Sequence, residues 1–337
     1  MVPAWHGTVA GALESVHMES VKPIICVVGP TASGKTDLAQ RLAIELDGEV
    51  VSADSMQIYK GMDIGTGKIL EGEMAVAHHC LDIVNPGEPF SAALYQAEAR
   101  KCFADIGRRG KRVVLCGGTG FYVRAAIDDY DFPKGEQVGN PVRDRYTKYA
   151  QDEGALALWQ LLDERDPQSA GIIPQNDVKR VVRAFELLDA GKSYAEQKER
   201  LAAIAQKYPA TFIGLKVEPE ILCARINARV DRMVESGLVD EVRHLLACGL
   251  REGITSPQAI GYKEVVDYLD GKKGLDEAID DIKLATRRYA KRQRTWFRKD
   301  ARIHWIDAND LDMERMLDEA LGIVGEFDGA CQVTVSS

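Results

Sequence analysis

The chain has no apolar run long enough to cross a bilayer. Stretches such as Ile24-Ile25-Cys26-Val27-Val28 fall far below the roughly 18 residues that a spanning helix needs. None of its seven cysteines (Cys26, Cys80, Cys102, Cys116, Cys223, Cys248 and Cys331) is spaced C-x-x-C from another. That excludes a zinc ribbon or finger, and so sparse a set excludes a disulfide scaffold; reduced, partly buried thiols are expected. The first twenty residues hold no Lys or Arg and no sustained apolar stretch, but include Glu14 and Glu19. They fit neither a secretory signal nor an Arg-rich transit peptide. We read 1–21 as a disordered extension, with Met18 as a second candidate start, and expect a cytoplasmic monomer. The chain also lacks a positive excess: 43 Lys and Arg against 52 Asp and Glu give a net charge of −9. No global field draws it to polyanions, so an indiscriminate nucleic-acid binder is excluded.

What is present is the composition of a soluble globular protein, 45% hydrophobic and 28% charged. At roughly 150 residues per domain, 337 residues suggest two domains. Residues 22–28 read as a buried strand, followed by a glycine-rich turn and a helix over 35–46. EVVSA (49–53) reads as a second strand ending at Asp54, and KRVVLC (111–116) as a third running into Gly117-Gly118-Thr119-Gly120. Short apolar strands alternating with helices imply an α/β fold, a parallel sheet flanked by helices, whose ligands lie beyond the strands' carboxyl ends. From about 131 to 207 the pattern turns helical, with candidate helices around Trp159-Leu162 and Val178-Leu188. A further strand, TFIGLKV (211–217), then precedes long amphipathic helices to about Arg298. This order predicts an α/β core from 22–130 and 208–310, an all-helical insertion at 131–207, and a C-terminal helix with a tail at 311–337 that frays from about Gly325.

Gly29-Pro30-Thr31-Ala32-Ser33-Gly34-Lys35-Thr36 satisfies G-x-x-x-x-G-K-[ST], and it stands between a strand and a helix. Backbone N–H groups of such a loop wrap an anionic phosphate, Lys35 adds a positive charge, and the Thr36 hydroxyl suits Mg²⁺. The motif predicts a diphosphate or triphosphate ligand and a P-loop NTPase-like core. A nucleotide triphosphatase usually also needs an acid at the end of a second buried strand, yet Val113-Val114-Leu115 ends in Cys116-Gly117-Gly118. The nearest strand-end acid is Asp54. It can be read as a metal-organising group, as a base aimed at a second substrate, or as a helix-capping or turn aspartate.

The positive charge is concentrated. Residues 283–299, KLATRRYAKRQRTWFRK, hold eight basic residues and no acidic one, so that with −9 overall the remainder carries −17. Tyr289, Gln293 and Trp296 interleave the cations, a composition suited to a nucleic-acid backbone and stacked bases; a solvated, salt-bridged face is the alternative. Arg143 with Arg145, and Lys179-Arg180-Val181-Val182-Arg183, are smaller basic sets, the second with Lys179 or Arg180 on one helical face with Arg183. Arg225, Arg229 and Arg232 share a face of another candidate helix, suiting either a phosphate-rich ligand or a salt-bridge stripe with Asp231 and Glu235. His78-His79 with Asp82 has no evident third ligand and reads as structural, near a strand end.

Taken in order, GPTASGKT (29–36), DSMQIYKGMDIGTGK (54–68), HHCLDI (78–83), GGTGFYV (117–123), GYKE (261–264) and TRRYAKRQRTWFRK (286–299) resemble the tRNA dimethylallyltransferases, also called tRNA isopentenyltransferases, of bacterial length. The resemblance covers about 22–308, and the 54–68 block is close to diagnostic. There are two departures: Cys80 replaces a usual aliphatic residue, and Gly67 stands where alanine or another small residue is common. Neither falls on the residues expected to carry the chemistry.

The resemblance implies transfer of a dimethylallyl group from dimethylallyl diphosphate to N6 of the adenine 3′-adjacent to the anticodon in tRNA, releasing pyrophosphate. It implies that Asp54 accepts the N6 proton. Gly29 to Thr36 would hold the diphosphate, Lys35, Thr36 and Mg²⁺ would stabilise the leaving group, and Arg225 or Arg229 would close over it. Ser55, Met56, Gln57 and Thr119 match positions that contact the extruded adenine and its neighbours. Arg143, Lys179 to Arg183, and Gln258, Ala259, Ile260, Gly261, Tyr262 and Lys263 match tRNA-contacting positions, which makes 131–207 a tRNA-gripping domain. Arg292 and Arg294 join these as the basic helix's contribution. The rivals are a small-molecule kinase, an adenylate isopentenyltransferase and a nucleic-acid-binding NTPase without a transferase step. The basic helix and the missing second acid count against the first, and the insertion against the second.

Overall fold

The computed structural model describes residues 22–132 and 140–335; the extension expected at 1–21 lies outside the described residues. Six strands form one parallel sheet: β1 (Ile24–Val28), β2 (Gly48–Ser52), β3 (His78–His79), β4 (Arg112–Gly117), β5 (Ala210–Lys216) and β6 (Ile303–Asp307). Their spatial order is β3-β2-β4-β1-β5-β6, with β1 central between β4 and β5. β1 and β2 are buried at every position, which explains their continuous apolar reading.

Both faces of the sheet are covered. On one, Leu38, Leu42 and Ala43 of the helix Lys35–Glu45 pack with Ile25, Val27 and Val114, joined by Met316, Ala320 and Val324 of the helix Met313–Val335. On the other, Tyr95, Ala99 and Phe103 of the helix Ala92–Arg108 meet Ile24, Cys26, Val28 and Leu115. A third cluster joins Ile58, Tyr59 and Met62 to Val230, Leu238, Val242 and Tyr262, anchoring the segment after β2.

Two expectations change here. β3 and β6 were not read from the sequence: β3 is only two residues long, and β6, at the sheet's edge, is buried only at Ile303 and Ile306. The fraying expected from about Gly325 is replaced by helix through Val335. The reason is an ion pair, since the Asp328 carboxylate accepts from both terminal nitrogens of the buried Arg112 guanidinium at 2.8 Å. No helix among the described residues is long and apolar enough to cross a membrane.

The chain divides into two compact units, one from the residues up to Ile127 together with Tyr208 onward, the other Asp128–Lys207. The second unit is helical, with helices Pro141–Asp152, Ala155–Arg165, Pro167–Ala170, Val178–Asp189 and Tyr194–Ala202. Its core stacks Tyr146 on Phe185 at 4.0 Å between ring centroids, beside Leu158, Leu162 and Val181.

Candidate active site

The helix Lys35–Glu45 begins without a side-chain cap, so its first N–H groups are available to an anion. Lys35 Nζ donates to the Pro30 carbonyl at 3.3 Å, folding the ammonium back over its own loop. Withdrawal from water lowers the Lys35 pKa from its ordinary value, while Cys116 and Asp54 oppose the shift.

Asp54 follows β2. One of its carboxylate oxygens accepts from the Met56 N–H at 2.9 Å, so the aspartate does close a turn; the other has no hydrogen bond among the described residues. Ser55 N–H donates to Thr119 Oγ1 at 3.1 Å, which ties the end of β2 to the glycine turn after β4. Gln57 accepts from the Ser52 hydroxyl at 3.1 Å, and its amide lies toward the Thr66 and Gly67 carbonyls.

Two adjoining cavities meet at Thr31, Lys35, Asp54, Thr66 and Arg229. The larger, about 250 Å³, is lined by apolar groups of Met56, Ile226, Val230, Met233, Ile260 and Ile282, with Tyr289 and Arg292. The smaller, about 50 Å³, is lined by Thr36, Ser52, Gln57, His78 and Gly117. His78 Nε2 is buried there without a hydrogen-bond partner among the described residues, and burial lowers the ring's pKa to about 4.

The two candidate arginines separate. Arg229 lines both cavities, donates to the Thr66 carbonyl at 3.2 Å, and has its pKa lowered by burial against the pull of Asp54. Arg225 instead donates to the carbonyls of Ala308 at 2.9 Å and Asn309 at 2.5 Å, bracing the chain after β6. Gly67 bears on this directly. Its φ is +57°, and a Cβ there would lie 1.7 Å from an Arg229 terminal nitrogen. The departure at Gly67 therefore touches the site after all, by leaving room for that guanidinium.

Gln293 was seen in the sequence only as a spacer among cations. Its Oε1 accepts from the Thr31 N–H at 3.0 Å, and its Nε2 donates to the Gly118 carbonyl at 3.0 Å. The basic helix, Leu275–Phe297, is thus pinned to both glycine loops. A Cβ on Gly118 would fall 2.2 Å from the Gln293 amide nitrogen, so only glycine admits this bridge. Glu241 is a second such residue. Its carboxylate accepts from the N–H groups of Asp63, Ile64 and Gly65 and from the Tyr262 hydroxyl at 2.6 Å.

The sequence-derived nucleic-acid residues fall in several settings. Gln258, Ala259, Ile260 and Gly261 line the larger cavity, and Lys263 is exposed. Tyr262 is fully buried, so its side chain serves the core and Glu241 rather than a surface. In the helical unit Lys179 and Arg180 are exposed, but Val181 and Val182 are 0% and 5% exposed. The helix turns those two inward to its core, which corrects their assignment as contact side chains. Arg143 and Arg183 both pair with Glu186, at 2.6 and 2.8 Å. Burial raises that carboxyl's pKa, and the two arginines more than reverse it. Among the described residues of the basic helix and its end, Lys283 pairs with Asp231 at 2.6 Å, whereas Arg288, Lys291, Arg292, Arg294, Arg298 and Lys299 form no ion pair.

Comparison with known proteins agrees with this arrangement. A family model described as IPP transferase matches residues 57–300, and one described as isopentenyl transferase matches 22–80. The tRNA dimethylallyltransferase of Carboxydothermus hydrogenoformans is 44% identical over 305 residues, covering 90% of this chain and 97% of its own. That of Bacillus velezensis is 47% identical, covering 85% and 91%. The crystal structure of the tRNA isopentenylpyrophosphate transferase from Bacillus halodurans superposes with a TM-score of 0.68 at 41% identity, over 93% of this chain and 99% of that one. A eukaryotic dimethylallyltransferase described as acting on tRNA gives 0.72 at 30% identity, over 86% and 75%. The chain belongs to the tRNA dimethylallyltransferase family.

Proposed function

We propose that this chain transfers the dimethylallyl group of dimethylallyl diphosphate to N6 of the adenine 3′-adjacent to the anticodon in tRNA, releasing pyrophosphate. One observation carries the reading: Asp54 stands where an apolar chamber joins a polar cradle. A kinase needs only the cradle. A prenyl transfer needs both, with a proton acceptor at their junction.

In this reading the diphosphate lies against Lys35, Thr36 and Arg229, and the larger cavity takes the five-carbon chain and the extruded base. The N6 lone pair attacks C1, the C1–O bond breaks with its electrons leaving on pyrophosphate, and the N6 proton passes to Asp54. An exocyclic arylamine is a weak nucleophile, so holding it in line contributes as much as the base does. Loop amides, Lys35 and Arg229 meet the charge developing on the leaving group. Tyr289, its pKa pushed up to about 12 by burial and then by Asp54, stays a neutral hydroxyl donor beside the base.

A divalent ion fits the donor set of the smaller cavity. Thr36, Ser52 and Asp54 present oxygen there, and the orphaned His78 nitrogen can serve a bound water. No group of three or more His, Cys, Asp or Glu is placed to hold a metal among the described residues. Mg²⁺, which keeps its waters and prefers substrate phosphates to an all-protein cage, suits such a site. Thr36 would hold it, and it would neutralise charge on the diphosphate.

For the tRNA, the reading assigns backbone contacts to Arg143, Lys179, Arg180 and Arg183 in the helical unit and to Arg292 and Arg294 in the other. The test supplies labelled dimethylallyl diphosphate with unmodified tRNA, with AMP, or with ATP. Label should enter tRNA alone. Prenylated AMP, or ATP hydrolysis without transfer, would overturn the proposal.

A further inference from the structure

Four side chains at β2, β3 and the helix Ala92–Arg108, none of them lining either cavity, form a cluster that the transfer does not use. Cys80 follows β3, Cys102 lies on the helix Ala92–Arg108, and their Sγ atoms are 4.0 Å apart. His79 Nε2 is 2.7 Å from Glu49 Oε2, and the ring is near enough to Cys102 for each to shift the other's pKa, the ring upward and the thiol downward. Glu49, nearly fully buried, is held in turn by Arg109 at 2.7 Å and Lys111 at 3.4 Å. A carboxylate orients an imidazole, the imidazole faces a thiol, and a second thiol waits beside the first. That order of groups is how proteins build a reactive thiolate with a partner to resolve it.

We propose that Cys102 and Cys80 form a hydroperoxide-reactive dithiol site. Cys102 is the attacking sulfur: it is half-buried and open to a small oxidant, whereas Cys80 is 6% exposed. The Cys80 sulfur beside it, and after it the His79 ring, lower the Cys102 pKa from the ordinary thiol value against the effect of burial. The same sulfur contact and burial push Cys80 upward.

In the first step the Cys102 sulfur attacks one peroxide oxygen. The S–O bond forms, the O–O bond breaks, and the departing hydroxide leaves as water with a proton from His79 or solvent. In the second, the Cys80 sulfur attacks the Cys102 sulfenic acid. The S–S bond forms, the S–O bond breaks, and the Cys80 proton leaves with that oxygen as a second water. The two sulfurs together lose two electrons, and the peroxide gains them. The step needs the sulfurs to close from 4.0 Å to about 2.05 Å.

The test uses the reduced full-length protein, dilute hydrogen peroxide, an alkylating quench and peptide mass spectrometry. Cys248 is the internal control: it is exposed and lies 3.6 Å from His244 Nε2, but among the described residues no second thiol contacts it and no carboxylate holds His244. A Cys80–Cys102 disulfide should form about tenfold faster than Cys248 is oxidised. Oxidation of Cys248 first, with both other thiols still alkylatable, would overturn the proposal. Cys80→Ala should leave a Cys102 sulfenic acid that dimedone traps, and no adduct at Cys102 counts against the site. The wild-type protein supplies a measurement that needs no variant. Alkylation of Cys102 should stay nearly level from about pH 6.5 to 8.5, where an ordinary thiol gains about tenfold per pH unit. An ordinary rise would remove the thiolate and the proposal with it.

Discussion

At Asp54, one carboxylate oxygen accepts from the Met56 N–H at 2.9 Å while the residue borders both cavities. Two substitutions separate these roles. Asp54→Asn keeps an amide oxygen for the turn but loses the base, and Asp54→Ala loses both. Both should cut turnover by about 10²–10⁴ with tRNA binding retained in a filter-binding assay, and only the alanine variant should also lower the melting temperature. Unchanged turnover in either would remove Asp54 as the proton acceptor. The arginine pair divides in the same way. Arg229→Ala removes a charged hydrogen-bond donor from the diphosphate cradle and should raise KM for dimethylallyl diphosphate by about 10–100-fold. Arg225→Ala should leave that KM unchanged and lower the melting temperature, because its guanidinium braces Ala308 and Asn309. The reverse pattern would exchange the two roles.

At the scale of elements, the basic helix is coupled to the loops by one amide. Gln293→Leu leaves the Thr31 N–H and the Gly118 carbonyl without this partner, a loss of about 1–3 kcal/mol at the buried Gly118 carbonyl and less at the part-buried Thr31 N–H. Urea denaturation should show it, together with a fall in kcat/KM for both substrates. Gln293→Glu keeps the acceptor for Thr31 but cannot donate to Gly118, so it should lose stability too; full stability in Leu would mean that the bridge is incidental. Much of this core was readable beforehand. Apolar runs at 24–28 and 112–117 and the glycines that follow them are local signals, and they place the strand ends that carry Lys35, Asp54 and Thr119. Gln293 and Glu241 were not readable, because their partners lie 262 and 175 residues away for the one and up to 178 for the other. Nothing local marks a side chain chosen for such a reach. Val181 and Val182 failed for the opposite reason. They sit within a basic run, but a helix that presents Lys179, Arg180 and Arg183 outward must turn the intervening residues inward.

At the scale of the molecule, a chain of net charge −9 carries a segment with eight basic residues and no acid. The question is whether those charges are spent within the protein. In the helical unit many are: Arg143 and Arg183 engage Glu186, Arg180 engages Asp177 at 3.0 Å, and Arg145 engages Asp189. Along the basic helix, Arg292 lies over the Tyr289 ring at 5.5 Å, and neither it nor Arg294 meets a carboxylate among the described residues. Unneutralised cations of this kind release counterions when they meet phosphates, so their contribution is visible in the salt dependence of binding. Replacing Arg292 and Arg294 together by Gln should weaken tRNA binding at low salt and reduce the slope of log K against log salt by about 1.4–1.8. Arg145→Gln, which removes a cation already paired with Asp189, should change the slope by less. Equal slopes in the double variant and the wild type would return this helix to an ordinary solvated face and leave the tRNA to be held elsewhere.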